Sequence, residues 1–181
     1  MLHICCGVCL GGPLEVLQKR GVQVRGHFFN PNIHPAEEFQ KRLETVRKIQ
    51  AVYGLSVTYE DRYDEDKYLE HAMPNDNNRC LRCYLMRLRR TARVAKEAGC
   101  EAFSTTLLVS RRQKHDLIRQ AGDVAAWEYK IPFHYQDWRP VRLRSIEIAE
   151  GLGLYRQKYC GCSFGLSEQL KQVEKKRAEQ G

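Results

Sequence analysis

Three short thiol clusters lie far apart in this sequence: Cys5-Cys6-Gly7-Val8-Cys9, Cys80-Leu81-Arg82-Cys83 and Cys160-Gly161-Cys162. They hold seven of the eight cysteines and leave Cys100 alone. A thiolate is the nucleophile and the soft-metal ligand among side chains, so chemistry is expected first at these positions. The Cys80-x-x-Cys83 spacing lets both sulfurs reach one metal or one cluster. It opens a predicted helix beside Arg79 and Arg82, and the helix N-terminus and these cations favour thiolates. With Cys5 and Cys6 it forms a candidate four-thiolate site, suited to structural zinc or to a 4Fe-4S cluster. Cys160 and Cys162 can chelate a metal, or close into a small strained disulfide that is readily reduced. Cys9 is the spare thiol that can join them. Buried cysteines also serve as small hydrophobes, a reading that suits lone Cys100 better than the clusters. Zinc held by Cys5, Cys6, Cys80 and Cys83 would leave three cysteines idle. Redox chemistry uses them, because a cluster delivers one electron at a time and a two-electron reduction needs a second store.

A chain of 181 residues is long enough to bury a core without crosslinks. It is expected to be one domain spanning 1–181. No signal-peptide pattern opens it and no apolar run is long enough to span a bilayer, so a cytoplasmic, reduced protein is expected. The formal net charge of +8 and a pI near 9.1 suit a polyanionic partner, nucleic acid above all, and suit a merely solvated surface equally well.

The elements that must position the thiols alternate. Leu2 to Ile4 reads as a strand ending on the cysteines. Gly11-Gly12-Pro13 then starts a helix that Gly21 closes, and Val22 to Phe29 is a second strand. Asn30-Pro31-Asn32 is a turn, and Pro35 opens a long helix to Tyr53 with Phe39, Leu43, Val46 and Ile49 on one face. Leu55 to Tyr59 is a third strand and Tyr63 to Ala72 a short helix. Met73 to Arg79 is a loop. From Cys80 a helix runs to Ala98, with Arg82, Arg87, Arg89, Arg90 and Arg93 off its apolar stripe. Cys100 to Val109 is a fourth strand, Gln113 to Trp127 a helix, Ile131 to Tyr135 a fifth strand and Ser145 to Leu152 a helix. A polar helix from Leu166 follows. This order predicts an α/β domain with a mainly parallel sheet and helices on both faces. Ligands in such folds bind beyond the C-terminal strand ends, where Cys5, Thr105 and Asp137 are expected.

Other residues carry two readings. Asn30, Asn32, His34 and Glu38 follow a strand end and are either loop and cap residues or substrate contacts. Thr105 and Thr106 end a strand or meet phosphate or ribose. Asp137 and Arg139 form a surface pair or line the pocket. His3 and His115 read as structural. Basic stretches at Arg87 to Arg93, Arg111 to Lys114, Arg139 to Arg144 and Lys171 to Arg177 are solvated faces, or a phosphate track if they share one side.

Together the motifs resemble the cobalamin-independent epoxyqueuosine reductases, the QueH family. The carrying stretches are Leu2-His3-Ile4-Cys5-Cys6, Phe28 to Pro35 with Glu38 and Arg42, Arg79-Cys80 through Cys83-Tyr84 to Arg87-Leu88, Ser104 to Leu108, and Tyr155-Arg156-Gln157-Lys158-Tyr159-Cys160-Gly161-Cys162. The resemblance implies an architecture similar to adenine-nucleotide-binding α/β domains. It implies reduction of the epoxide of epoxyqueuosine to the alkene of queuosine, at the wobble position of tRNA. It further implies a 4Fe-4S cluster, a second metal ion (iron) beside it, and an external electron donor. A monomer is expected, and for the implied reaction Asp137, His34 and Tyr159 are candidate proton donors and Arg139 and Arg156 candidate substrate contacts. The chain departs from the pattern at Gly7-Val8, where Ala-Pro is common, at Arg111-Arg112, and at Cys9, where some members carry Asp. Two allocations of the thiols stay open. Cys5, Cys6, Cys80 and Cys83 hold the cluster, with Cys160 and Cys162 a redox pair or, with Cys9, ligands of the second metal. Alternatively, Cys80, Cys83, Cys160 and Cys162 hold the cluster, with Cys5, Cys6 and Cys9 on the second metal. Competing classes are a zinc-stabilised RNA-binding module and an ATP-dependent tRNA-modifying enzyme.

Overall fold

In the computed structural model, residues 1–70 and 78–178 are described. The strands β1 (Leu2–His3), β2 (Arg25–Phe29), β3 (Ser56–Glu60) and β4 (Ser104–Thr105) form one parallel sheet in the order β3-β2-β1-β4. The helices are α1 (Gly11–Lys19), α2 (Ala36–Tyr53), α3 (Glu65–Leu69), α4 (Arg79–Glu97), α5 (His115–Tyr129), α6 (Arg142–Gly151) and α7 (Ser163–Ala178). The expected α/β architecture is what the chain adopts.

β1 is central, and its shortness has a local cause. The Ile4 N–H still bonds across to the His27 carbonyl at 2.8 Å, but the Cys5 N–H turns to the Thr106 hydroxyl at 3.1 Å. The strand therefore ends where the thiols begin. His3 spans the sheet, with Nδ1 against the Thr105 hydroxyl at 2.8 Å and Nε2 against the Phe29 carbonyl at 3.2 Å. Its complete burial pushes its pKa down to about 3, so the ring is neutral.

The apolar stripes behave as their spacing requires. Phe39, Leu43, Val46 and Ile49 of α2 are buried, as are Leu88, Ala92 and Ala95 of α4. α4 packs along α5 and over β1 and β2, while α1 packs on α6. Gly12 makes the second contact possible: a Cβ there would lie 2.4 Å from Ser145 Oγ and 2.7 Å from the Val141 carbonyl.

Several boundaries differ from expectation. The second strand starts at Arg25, because Val22 lies out in solvent. The fourth strand keeps only Ser104 and Thr105; Thr106–Val109 coil into a 3-10 turn that the Thr105 hydroxyl caps by accepting from the Leu107 N–H at 3.1 Å. The expected fifth strand reduces, among the described residues, to one parallel bridge between Phe103 and Phe133. The loop expected over Met73 to Arg79 lies outside the described residues up to position 77, and Arg79 already belongs to α4. Arg87, expected on the polar side of α4, is buried; its spacing from Tyr84 and Leu88 turns it inward with them.

Candidate active site

All three thiol clusters lie beyond the C-terminal ends of the strands. Cys5, Cys6 and Cys9 are buried, and their three sulfurs lie within 4.8 Å of one another. Cys5 takes the charge of this trio: hydrogen bonds from Cys6 and Cys9 draw its pKa down, and the same bonds push Cys6 up to about 12 and Cys9 well above its usual value. The Thr106 hydroxyl adds a further bond to Cys5 Sγ at 3.3 Å. Gln157 reaches in with Nε2 at 3.0 Å from Cys6 Sγ and 3.6 Å from Cys9 Sγ, and its Oε1 is buried without a partner.

The loop bearing Cys160 and Cys162 is clamped by a buried ion pair on α2. Arg42 Nη2 lies 2.6 Å from Glu38 Oε1, and Nε donates to the same oxygen at 2.7 Å. The same guanidinium donates to the Tyr159 and Cys160 carbonyls, each at 3.1 Å. Tyr155 donates to Glu38 Oε2 at 2.5 Å, the Tyr159 hydroxyl donates to the His34 carbonyl, and the His34 N–H donates to the Gly161 carbonyl at 2.8 Å. Gly161 has φ +118° and packs where a Cβ would meet Arg42 and Ile33 at 3.1 Å, so this position requires glycine.

Cys160 and Cys162 hold their sulfurs 3.4 Å apart. The hydrogen bond from Cys160 lowers Cys162 to about 6, helped by the Gly165 N–H at 3.2 Å and by the Tyr68 hydroxyl; Cys160 is pushed up by the same bond. The pair is thus one thiol and one thiolate near neutral pH. At the start of α4, Cys83 is buried, and desolvation raises it to about 11.

Two adjoining cavities connect the clusters. The smaller, about 390 Å³, is walled in part by Cys5, Cys9 and Cys160. The larger, about 1020 Å³, is walled in part by Cys80, Cys83, Cys160 and Cys162. Cys160 belongs to both, so seven thiols converge on one region, as their clustering leads one to expect. Arg87 is buried beside them, facing Cys83, Cys5 and Cys160. It donates to Asn30 Oδ1 at 3.3 Å, has no carboxylate partner among the described residues, and leaves Nε without a bond. A buried guanidinium without a carboxylate needs another anion. Thiolates holding an iron–sulfur group supply one, so the donor set and its surroundings suit that group.

The remaining sequence-derived candidates fall into two sets. Asn32, Tyr159 and Arg156 line the larger cavity, and Asn32 Oδ1 is buried without a partner. Arg156 also pairs with Glu150 at 2.5 Å. Asn30, His34, Glu38, Thr105 and Thr106 stand behind the cavity walls and bind other parts of the chain. Asn30 Nδ2, for instance, donates to the Ile4 carbonyl at 2.8 Å, and His34 Nδ1 lies 2.7 Å from the Tyr63 hydroxyl. Asp137 and Arg139 lie apart as a surface ion pair at 2.6 Å and line neither cavity, which is the simpler of the two expectations for them. Their pairing holds Asp137 down to about 2. Residues whose roles the sequence left unassigned are Arg42, Arg87 and Gln157. Each sits inside a motif that carries the family resemblance, but nothing in residue type marks an arginine as buried.

A doubly anchored thiol centre on a parallel α/β domain defines the class: a cysteine-based metal or redox site opening beside cationic cavities. The profile of the family described as epoxyqueuosine reductase QueH matches residues 1–168. The chain is 37% identical over 170 residues to the epoxyqueuosine reductase QueH of Dehalococcoides mccartyi, covering 94% of this chain and 93% of that one. Against the protein of the same name from Thermotoga maritima it is 33% identical, covering 93% and 90%. Against that from Acinetobacter baylyi it is 34% identical, covering 93% and 80%. The chain belongs to the epoxyqueuosine reductase QueH family.

Proposed function

We infer that this protein reduces the epoxide of epoxyqueuosine to the alkene of queuosine, on tRNA, as one catalytic unit acting as a cytoplasmic monomer. Membership of the family supports the reaction. The observation in this chain that supports it best is the Cys160–Cys162 pair, 3.4 Å apart on the wall of a cavity large enough for a nucleoside. Among the described residues no helix is long and apolar enough to cross a membrane.

The reaction takes two electrons and two protons: two carbon–oxygen bonds break, the carbon–carbon double bond forms and the oxygen leaves as water. A thiol and a thiolate becoming one disulfide release two electrons and one proton, so Cys160 and Cys162 supply the electrons and one proton of one turnover, and solvent supplies the second proton. An external electron donor then returns them to thiols. Cys160, which retains its proton, is the group placed to donate it toward the leaving oxygen. Tyr159 is less suited, since its hydroxyl is committed to the His34 carbonyl and burial raises its pKa. Asn32 Oδ1 and Arg87 Nε are unpartnered polar atoms of residues lining the larger cavity, suited to fix the sugar-like ring.

Cys5, Cys6, Cys80 and Cys83 would hold a 4Fe-4S cluster, with Arg87 balancing its charge. Such a cluster supplies electrons singly from the external donor. Cys9 would serve a second metal ion, iron, beside it. One observation favours the other allocation: Cys5, Cys6 and Cys9 already form a three-sulfur group fit for a metal, while the other four thiols line one cavity. Anaerobic reconstitution followed by iron, sulfide and zinc analysis, with conversion of epoxyqueuosine in tRNA by dithionite and no nucleotide, tests the reading. Stoichiometric zinc without labile sulfide, and no conversion, would leave a zinc-stabilised RNA-binding module. Conversion that requires ATP would point to a nucleotide-dependent enzyme.

A further inference from the structure

The smaller cavity has an uneven charge balance. Arg42, Arg111, Arg112, Arg142 and Arg156 line it, and no aspartate or glutamate does. Several arginines elsewhere are neutralised: Arg89 by Glu128, Arg90 by Glu60, Arg93 by Glu97, Arg139 by Asp137 and Arg144 by Glu15. Even within the cavity Arg42 is held by Glu38 and Arg156 by Glu150. Arg111, Arg112 and Arg142 have no carboxylate partner among the described residues. Among the described residues the Arg112 guanidinium donates only to the Lys158 carbonyl. Three arginines without a carboxylate partner thus gather on one wall. Convergent cations repel one another unless an anion enters between them, and guanidinium groups match phosphate oxygens in geometry as well as charge. Neutral donors stand with them. Ser110 Oγ accepts from the Arg112 N–H at 3.2 Å, which leaves its own O–H to donate. Gln113 Oε1 accepts from Tyr84 at 2.6 Å, which leaves its NH2 group free to do the same.

The position of this wall is specific. The smaller cavity shares Arg112, Gln113, Arg156, Gln157, Tyr159 and Cys160 with the larger one. A ligand filling both would place an anionic part against the arginines and a neutral part against Cys160 and Cys162.

We propose that the smaller cavity seats a backbone phosphate of RNA, the phosphodiester next to the nucleotide whose modified base occupies the larger cavity. This rests on the reductase reading, because a nucleotide within a polynucleotide is the ligand whose anionic and reacting parts are joined at that spacing. A free nucleotide offers the same phosphate chemistry, and the experiment separates the two.

The test measures tRNA affinity across a salt series for the wild type, for Arg111→Gln/Arg142→Gln and for a control, Arg93→Gln/Arg144→Gln. tRNA with and without epoxyqueuosine is used for each. The Arg111/Arg142 variant should show a salt slope shallower by about 0.7, the increment for the one single-stranded phosphate contact removed. Its affinity should fall by the same factor for both tRNAs, because a phosphate contact carries no base information. The control should keep the wild-type slope. An unchanged slope in the Arg111/Arg142 variant overturns the proposal. If the double variant folds poorly, exposed Arg111→Gln alone should show half the shift, and an unchanged slope there overturns the proposal equally. ATP or pyrophosphate that raises the melting temperature of the wild type but not of the variant, without displacing tRNA, also overturns it in favour of a free nucleotide. An arginine-dependent slope in a protein that never converts epoxyqueuosine sinks the reductase reading and leaves the phosphate seat in place. A wild type without salt-dependent tRNA binding sinks both.

Discussion

Arg42 donates through Nη1 to the carbonyl of Cys160 at 3.1 Å, joining residues 118 positions apart. This bond and its neighbour to the Tyr159 carbonyl hold the Cys160-Gly161-Cys162 loop against α2. Arg42 in turn is fixed by Glu38, and Glu38 by Tyr155. The loop bearing Cys160 and Cys162 therefore takes its position from a helix formed over a hundred residues earlier.

Replacing Arg42 with Met should leave Glu38 buried without its cation and free two carbonyls. The expected cost is about 3–5 kcal/mol, the range for breaking one side of a buried pair. Urea unfolding measures it. Arg42→Lys should recover only part of the loss, because an ammonium cannot hold one carboxylate and two carbonyls in a planar fork.

The double variant Cys160→Ser/Cys162→Ser should still assemble its iron and sulfide while losing turnover, since the four proposed cluster thiolates remain. Cys80→Ser/Cys83→Ser should lose both, because a hydroxyl is a poor substitute for a thiolate on iron. Visible absorption and iron content read the difference. Loss of the cluster from the first variant, with retention in Cys5→Ser/Cys6→Ser, would reverse the allocation.

In metal-free protein, iodoacetamide should modify Cys162 with a rate that rises through pH about 6, its lowered pKa. Above that pH the thiolate is present; below it the thiol is protonated and the rate falls. Cys160→Ala removes the hydrogen bond responsible, so the midpoint should move to higher pH. A midpoint that stays put would show that Cys160 is not the cause.

His3 should contribute to acid sensitivity. Its folded pKa of about 3 lies below the ordinary 6.5, so the folded state binds fewer protons than the unfolded chain between those values. The stability it lends is intact above about pH 6.5 and drains away as pH falls toward 3, by up to about 1.4 kcal/mol per pH unit. Denaturant midpoints measured across this window should fall less steeply in a His3→Asn variant that retains the fold.

Gly7 lies against the backbone of α2. In this chain a Cβ there would lie 2.3 Å from the Thr45 carbonyl, and the Gly7 N–H donates to the Thr45 hydroxyl at 2.8 Å. Gly7→Ala should therefore force α2 outward and lower stability by roughly 1–3 kcal/mol, the range for overpacking. Thermal unfolding checks this. A neutral effect would show that α2 moves aside freely.

The sequence alone determined the alternation of strands and helices, because apolar periodicity and glycine and proline punctuation are local properties. It also marked the thiols that the fold brings together, since cysteines in close spacing stand out by type, and their motifs together identify the family. It placed β1 so that it ends on the cysteines. Tertiary structure decided what depends on partners distant along the chain. The fifth strand shrinks to the Phe103–Phe133 bridge, an outcome set by pairing rather than by the residues of 131–135. Among charged residues the division is sharper. Arg87 and Arg93 look alike in sequence, yet one is buried against thiols and the other holds a surface glutamate. Asp137 follows an expected strand but turns to Arg139, away from the cavities. An arginine's role is set by whether a carboxylate lies within reach in space, and one-dimensional spacing records that only within a single helix. The unpaired arginines beside Cys160 therefore became legible only once the chain was folded.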